Sequence, residues 1–345
     1  MSEIRYDLLH DEYALIAPER LHRPDCYRTL REEESADHRN CPFCPGHEAM
    51  TPPEIFSLRD GGDPNTPGWK TRVVPNLYKA VQIEAPWQSE EVGIYTLWEG
   101  LGAHEVIVDT PRHLTRMDGW SENEYFNWLY TLRSRVNDLR NDIRLVTISL
   151  FKNHGHYAAA TQTHPHTQLI ALPVVPKETV VQMERAKHYF DRRRHNIFES
   201  VLHQERSDAK RIVLESDRFI AFCPYASTFA FETAIFSKNG IVSVSDLDEP
   251  MMRELGGVLK QTIDALYEEL GDFDFNILFN TPPLQKNSET ETFYDDIPHI
   301  WRFGIRIVPR LFRLGGFELE SGIQINPVLP EEAASLLKTA LKALS

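Results

Sequence analysis

The stretch from Asn153 to Gln168 reads NHGHYAAATQTHPHTQ and lies between two apolar runs, LVTISLF (Leu145 to Phe151) and LIALPVV (Leu169 to Val175). Each run has the length and β-branched content of a buried strand, so the polar, histidine-rich stretch between them reads as a loop at the rim of a sheet. If His164, His166 and Gln168 continue the second strand backwards, they project to one face while Pro165 and Thr167 project to the other. Two imidazoles and an amide then converge. An imidazole serves as metal ligand, general base or nucleophile according to what meets its second nitrogen. A single histidine at a strand end is more often a satisfied rim residue. The His-x-His-x-Gln spacing beside Gly155 and the small residues Ala158, Ala159 and Ala160 points instead to a backbone that runs close to a ligand.

Around this stretch the chain has an ordinary globular composition. It has 345 residues, 41% hydrophobic and 26% charged, which is ample for a core and suggests two domains. No apolar run approaches the roughly 20 residues that span a membrane, and the opening MSEIRYDLLHDEY lacks the apolar core of a signal peptide. The expected address is cytoplasmic. Four cysteines, two of them in one CxxC, suit a reducing compartment better than a disulfide framework. The net charge of -14 argues against a nucleic-acid partner, which needs a broad cationic surface. It leaves room for a small phosphorylated substrate met by local cations, for which Arg20 and Arg23 in PERLHRP are candidates; as a solvated basic turn they would have no such role.

Cys41-Pro-Phe-Cys44-Pro-Gly places two thiols on one tight turn. A redox CxxC normally opens a helix, and Pro45-Gly46 opposes one, so the spacing reads as half of a zinc site. Two more ligands are needed, and His47, His104, His113 and the His164/His166 pair can supply them. Further on, Ser121-Glu-Asn-Glu124 is a capping box opening an amphipathic helix to about Asn141. The second half repeats the order: a helix from about Pro250 to Leu270 closed by Gly271, a strand from Asp274 to Asn280, a polar loop, and a strand from Phe303 to Val308. An offset of 136 residues sets Pro309 on Pro173 and puts Ile300, Arg302 and Gly304 where His164, His166 and Gln168 stand. The pattern predicts a duplicated architecture, residues 1–176 and 177–345, with the chemistry kept only in the first copy.

Four phrases, CPFCPGHE, DTPRH ending in His113, KNHGHYAAATQTHPHTQ and GFELESGIQINPVLPEEAA, together resemble the galactose-1-phosphate uridylyltransferase family, a branch of the histidine-triad superfamily. The resemblance runs from RYDLLHDEYALIAPERLHRP to PEEAA, nearly the whole chain. It implies an α+β fold of two related halves, each a curved antiparallel sheet with helices on one side. It also implies transfer of a nucleoside monophosphate, UMP in the uridylyltransferases, between a nucleotide sugar and a sugar phosphate. On this resemblance His166 matches the nucleophile that forms a covalent nucleotidyl-histidine, and Gln168 the residue that hydrogen-bonds a phosphoryl oxygen. Cys41, Cys44, His113 and His164 match the ligands of one structural zinc; Arg20 and Arg23 match an Arg-x-x-Arg-Pro near the substrate phosphates, sometimes across a homodimer interface. Asn76, Asn153 and Gly155 match positions around the nucleotide and its phosphates.

Two departures stand out. Thr167 replaces a glycine usual in uridylyltransferases and resembles relatives with serine there, some of them adenylyl-transferring sugar phosphorylases that use phosphate as acceptor. Arg302-Phe303-Gly304 replaces the second-half His-x-His that binds another metal in many members, which puts a second metal in doubt although Glu184 and His299 remain nearby. A nucleotidyl hydrolase and a zinc-stabilised binding protein without catalysis are the readings from other classes; intact His166 and Gln168 speak against the second, and Arg20 and Arg23 against the first.

Overall fold

The computed structural model describes residues 2–22, 38–114, 116–238 and 240–344, with only the backbone of residue 22. Arg23 lies outside the described residues. In chain order the elements are β1 (Glu3–Asp7), β2 (Glu12–Ile16), β3 (Phe56–Arg59), β4 (Trp69–Pro75), β5 (Ser89–Val92), β6 (Tyr95–Trp98), β7 (Ala103–Val108), α1 (Glu122–Leu139), β8 (Thr147–His154) and β9 (His166–Leu172). There follow α2 (Lys177–Arg193), α3 (Ile197–Asp208), β10 (Ile212–Glu215), β11 (Phe219–Phe222), β12 (Thr233–Ser237), α4 (Glu249–Leu270), β13 (Phe275–Asn280), α5 (Ile297–Ile300), β14 (Gly304–Pro309), α6 (Gly316–Ser321), β15 (Gln324–Asn326) and α7 (Pro330–Leu344).

Both apolar runs flanking the histidine stretch form strands, and they pair with each other as β8 and β9, from Thr147↔Leu172 to Phe151↔Gln168. The loop between them is the rim loop. Ten strands join in one antiparallel sheet in the order β10-β11-β12-β14-β13-β8-β9-β7-β4-β3. The halves meet edge to edge where β13 pairs β8, Phe275 opposite His154.

The duplication is visible in the register. Gln168 faces Phe151 on one side and Val106 on the other, and Gly304 faces Asn280 and Phe236 in the same positions of the second half. The 136-residue offset therefore holds for β9 and β14. It does not hold for their neighbours, because Phe151 corresponds to Asn280 and Val106 to Phe236 at shorter spacings. Loops of different length absorb the difference.

Helices α1 and α4 lie side by side on one face. The capping box that opens α1 is present, with Ser121 accepting from the Glu124 N–H and the Glu124 carboxylate accepting from the Ser121 N–H. Asp248 caps α4 by accepting from the Met251 N–H, and Gly271 ends it at φ 71°. The two helices approach closely at Gly256, where a Cβ would sit 3.2 Å from the Tyr125 Cβ. Under them, Trp120, Tyr125, Trp128, Leu132, Leu150, Leu169, Leu259, Ile263, Phe275 and Ile305 form the main core. Burying such side chains supplies the principal driving force of the fold, roughly 1.5–3 kcal/mol each.

The opposite face differs between the halves. On the second half α2, α3 and α5 cover it, packing Met183, Phe198, Ile300 and Trp301 on Ile220, Phe222 and Phe236. On the first half it carries His104, Gln168 and Ile170, all partly exposed. A smaller sheet, β1-β2-β15, with β15 parallel to β2, is tied to the second half by Arg5, which bonds the Glu331 carboxylate and the Tyr225 carbonyl at 3.0 Å.

Gly304 shows why the second copy cannot carry a side chain at the place of Gln168: a Cβ there would lie 2.1 Å from the Phe236 ring. Gly304→Ala should therefore destabilise the chain by roughly 1–3 kcal/mol through overpacking, whereas Gly257→Ala, in mid-helix with open space for its Cβ, should stabilise it by roughly 0.5–1 kcal/mol. Equilibrium unfolding in urea checks this; an unchanged midpoint for Gly304→Ala would refute it.

Candidate active site

The strand register brings the polar residues of the rim to one edge. Cys41, Cys44, His113 and His164 come together with their ligand atoms all within 4.8 Å of one another. Cys44 Sγ lies 3.3 Å from His113 Nδ1 and 3.6 Å from His164 Nδ1. Both imidazoles are turned by their other nitrogen. His164 Nε2–H donates to the Thr110 carbonyl at 2.8 Å, and His113 Nε2 meets Thr163 Oγ1 at 3.1 Å. This leaves both Nδ1 lone pairs facing the two sulfurs, the arrangement by which outer partners orient metal-ligating histidines. Burial and the neighbouring Cys41 push the Cys44 thiol up to about 12, so that thiol ionises only with a cation beside it. Burial, ahead of the nearby charges, lowers His164 to about 3, keeping it neutral as a ligand must be. Two sulfurs and two neutral imidazoles form a closed, soft four-ligand set that could hold a metal ion.

Of the other histidines that could have completed the set, His47 instead donates from Nδ1 to the Cys41 carbonyl at 2.7 Å, bracing the CxxC turn. His104 stands further along β7, opposite Ile170 and beside Gln168. In the second half Arg302, at the place of His166, is buried and engages the Glu199 carboxylate, while the His299 ring stacks on Phe190. Another group, Asp7, His10 and Glu12, also has ligand atoms within 4.8 Å. Both nitrogens of His10 are engaged there, Nδ1 by Asp7 at 2.8 Å and Nε2 by Arg306 at 3.5 Å.

His166 lies two residues beyond His164 of the four-ligand set. Its Nδ1–H donates to the carbonyl of His164 at 2.9 Å. The proton is thereby fixed on Nδ1, and the Nε2 lone pair is left for an electrophile. Burial, and after it the charge of Lys152, lowers His166 to about 4 against the opposing effect of the His164 carbonyl. At neutral pH the ring is a neutral base or nucleophile. Phe43, inside the CxxC turn, packs its ring 5.5 Å from that of His166. Beside His166 the loop encloses a crevice of about 60 Å³ lined by Asn153, Gly155, Ala160 and Thr163 among others. Gly155 adopts φ 85°, a conformation that favours glycine. Asn153 Oδ1 accepts from Asn276 Nδ2 at 2.9 Å, so the second half props the loop. Arg20 sits on the turn after β2 and is not among the crevice-lining residues.

Three features of the site emerge that the sequence reading did not assign: a buried ion pair, a hydroxyl and an imidazole. Lys152 and Asp109, 1% and 0% exposed, form an ion pair of 2.6 Å beneath His166, and Lys152 Nζ also donates to the His166 carbonyl at 3.1 Å. The sequence signal was a lysine inside an apolar strand run, facing a register position that must be buried. Thr167 points, as alternation requires, to the helical face, where its hydroxyl accepts from Trp128 Nε1–H at 2.9 Å. The residue that departs from the usual glycine is therefore a core anchor and does not touch the crevice. His104 is the third. It was weighed only as a metal ligand, yet its Nε2 lies 3.1 Å from Gln168 Oε1 and 3.0 Å from Asn76 Nδ2, so the structure joins Asn76 and Gln168 through it.

Removing one member of a buried pair leaves an uncompensated charge. Lys152→Met should lower stability by roughly 3–5 kcal/mol, and the double change Lys152→Met with Asp109→Leu should regain much of that loss. Chemical denaturation of the single and double variants measures both; a single variant as stable as the parent would refute the pair's role.

Comparison with known proteins agrees with this architecture. The C-terminal domain model of galactose-1-phosphate uridyl transferase matches residues 182–345. An ADP-glucose phosphorylase from Arabidopsis thaliana is 31% identical over 340 residues, covering 97% of this chain and 92% of that protein. A galactose-1-phosphate uridylyltransferase from Thermotoga maritima is 26% identical over 349 residues, 98% of each. A crystal structure of an ADP-glucose phosphorylase from Arabidopsis thaliana with bound ADP-glucose superposes with a TM-score of 0.81 at 27% identity, covering 98% of this chain and 99% of that one. With the duplicated antiparallel sheet, the rim cluster and near full-length similarity in both sequence and structure, the chain belongs to the galactose-1-phosphate uridylyltransferase family and is a nucleotidyltransferase.

Proposed function

We propose that this enzyme moves UMP between a nucleotide sugar and a hexose 1-phosphate through a covalent uridylyl-His166, with residues 1–176 as the catalytic half and 177–345 as its support. The observation that carries the reading is the 2.9 Å bond from His166 Nδ1 to the His164 carbonyl, which leaves Nε2 as the attacking atom. In the first step the Nε2 lone pair forms a bond to the α-phosphorus while the phosphorus–oxygen bond to the sugar phosphate breaks, the electron pair leaving with the sugar 1-phosphate. In the second, a phosphate oxygen of the incoming hexose 1-phosphate attacks the same phosphorus and the phosphorus–nitrogen bond breaks, restoring neutral His166. Gln168, uncharged and two residues along the same strand face, donates to a phosphoryl oxygen. Asn76, Asn153 and Gly155 hold the nucleotide and its phosphates, and Arg20 and Arg23 meet the acceptor phosphate.

Cys41, Cys44, His113 and His164 hold one structural zinc, which pins the chain two residues before the nucleophile and takes no part in the transfer. The net charge of -14 suits small phosphorylated partners met by local cations and disfavours nucleic acid. No described helix is long and apolar enough to cross a membrane. We place the enzyme in the cytoplasm as a homodimer on family resemblance.

A second reading, adenylyl transfer from ADP-glucose to phosphate, is favoured by the 31% identical ADP-glucose phosphorylase. The chemistry at His166 is the same, and the base and acceptor differ.

Incubation with UDP-glucose or ADP-glucose without acceptor, followed by intact mass, separates these. A UMP adduct supports the first reading and an AMP adduct the second; no adduct with either sinks both. The adduct should be acid-labile and alkali-stable, as a phosphoramidate is, and His166→Gly should abolish it while leaving metal content unchanged. Metal analysis should give about one zinc per chain, and Cys41→Ser should lower the melting temperature well beyond a surface change, since structural zinc contributes directly to folding. Metal-free protein that melts normally would remove zinc from the account.

A further inference from the structure

We propose that His104 is a positioning residue for the transfer: it holds the oxygen of the Gln168 amide so that the NH2 group, and not the carbonyl, faces the phosphoryl group. The proposal rests on the reading of Gln168 given above and adds a residue to it.

A primary amide has two ends of similar size and opposite hydrogen-bonding character. Presented to a phosphate, the NH2 end stabilises the oxygens and the carbonyl end repels them, so an unrestrained glutamine at this place would spend part of its time the wrong way round. His104 removes that freedom. Its Nδ1 lies 3.1 Å from the backbone N–H of Ala80, which can only donate, so Nδ1 carries the lone pair. Nε2 must then carry the hydrogen and donates to Gln168 Oε1 at 3.1 Å. The other neutral tautomer would place two hydrogens between His104 and Ala80 and two lone pairs between His104 and Gln168. The Nε2–H form satisfies the Ala80 and Gln168 contacts and leaves only Asn76 Nδ2 facing it donor to donor, whereas the other tautomer would satisfy only the Asn76 contact.

Asn76 is set the same way. Its Oδ1 accepts from the Tyr78 N–H at 2.9 Å, and its Nδ2, 3.0 Å from the protonated His104 Nε2, meets that nitrogen donor to donor, so its hydrogens must turn toward another acceptor. Its NH2 thus remains available for a ligand. Two amides whose oxygens are held by protein donors present their NH2 groups from one side of the sheet, a pre-organised pair of donors of the kind that stabilises developing negative charge.

The arrangement is fixed by strand register. β7 pairs β9 with His104 opposite Ile170 and Val106 opposite Gln168. His104 and Gln168 therefore share a face as diagonal neighbours, within reach for long side chains. The Ala80 donor comes from the turn after β4, whose path is held by the Asn76 N–H to the His104 carbonyl at 2.8 Å.

The test combines structure with a double-mutant cycle. In a crystal structure of His104→Leu the Gln168 amide should leave its present position, and in His104→Gln, whose own amide nitrogen can reach the place of Nε2, it should stay. Single-turnover nucleotidylation with UDP-glucose and with ADP-glucose should be slowed about tenfold to a hundredfold by His104→Leu, the scale of a misdirected transition-state donor. Nucleotide affinity should change far less, and His104→Gln should recover most of the rate. In a Gln168→Ala background His104→Leu should slow the step by less than about threefold further, since residues that act as one unit are not additive. Gln168 unmoved in the His104→Leu structure, a full additive loss in the Gln168→Ala background, or His104→Gln as slow as His104→Leu would each overturn the proposal. If Gln168→Ala itself retains the parent rate, the role given to Gln168 fails instead, and the His104→Leu structure still decides whether His104 orients it.

Discussion

The hydrogen bond from His166 Nδ1 to the carbonyl of His164 joins two parts of the rim: the Cys41, Cys44, His113 and His164 group that could hold a metal ion, and the imidazole of His166, whose ring orientation it fixes. A backbone carbonyl is a fixed acceptor that cannot titrate or rotate away. Because the carbonyl belongs to a residue of the metal-ligand group, whatever holds His164 also holds the ring of His166. His164 is itself held by the Thr110 carbonyl, Phe43 packs on the His166 ring, and His47 braces the turn that carries the cysteines. The sheet, the capped helices behind it and the loop around it serve to keep this one contact in place.

Charge is placed in the interior to the same end. Lys152 and Asp109 are both removed from water, which is costly unless each is fully met. Lys152 meets Asp109 and the His166 carbonyl together, so the backbone of the key strand residue is gripped from beneath while its side chain is gripped from the side. A hydrophobic pair would fill the same volume without fixing that carbonyl.

Duplication supplies the frame, and divergence makes the two outer faces different. The two half-sheets keep the same register, but Phe236 in the second half occupies the space that a side chain on Gly304 would need, and Arg302 is committed to Glu199. Helices α2, α3 and α5 cover that half's outer face with apolar side chains, whereas the first half leaves His104 and Gln168 partly exposed on the corresponding face. The second half still contributes through the joint: Asn276, on its edge strand, props Asn153 at the mouth of the crevice.

What the sequence by itself determined is whatever lies within a few residues along the chain: the CxxC turn, the alternation that separates His166 from Thr167, and the capping box of α1. These are legible because turn chemistry and strand periodicity act locally. The grouping of Cys41 and Cys44 with His113 and His164 needed family resemblance, since His47 and His104 fitted the spacing as well. Only the tertiary structure decided between them, by sending His47 to a carbonyl and His104 to Gln168. It also decided that Thr167 is a core anchor, that Lys152 has a buried partner, and that the 136-residue offset fails outside one pair of strands. The physical reason is the same in each case: pairing between strands far apart in sequence is set by which faces must be buried together, and no residue's neighbours across a sheet are written in the residues beside it.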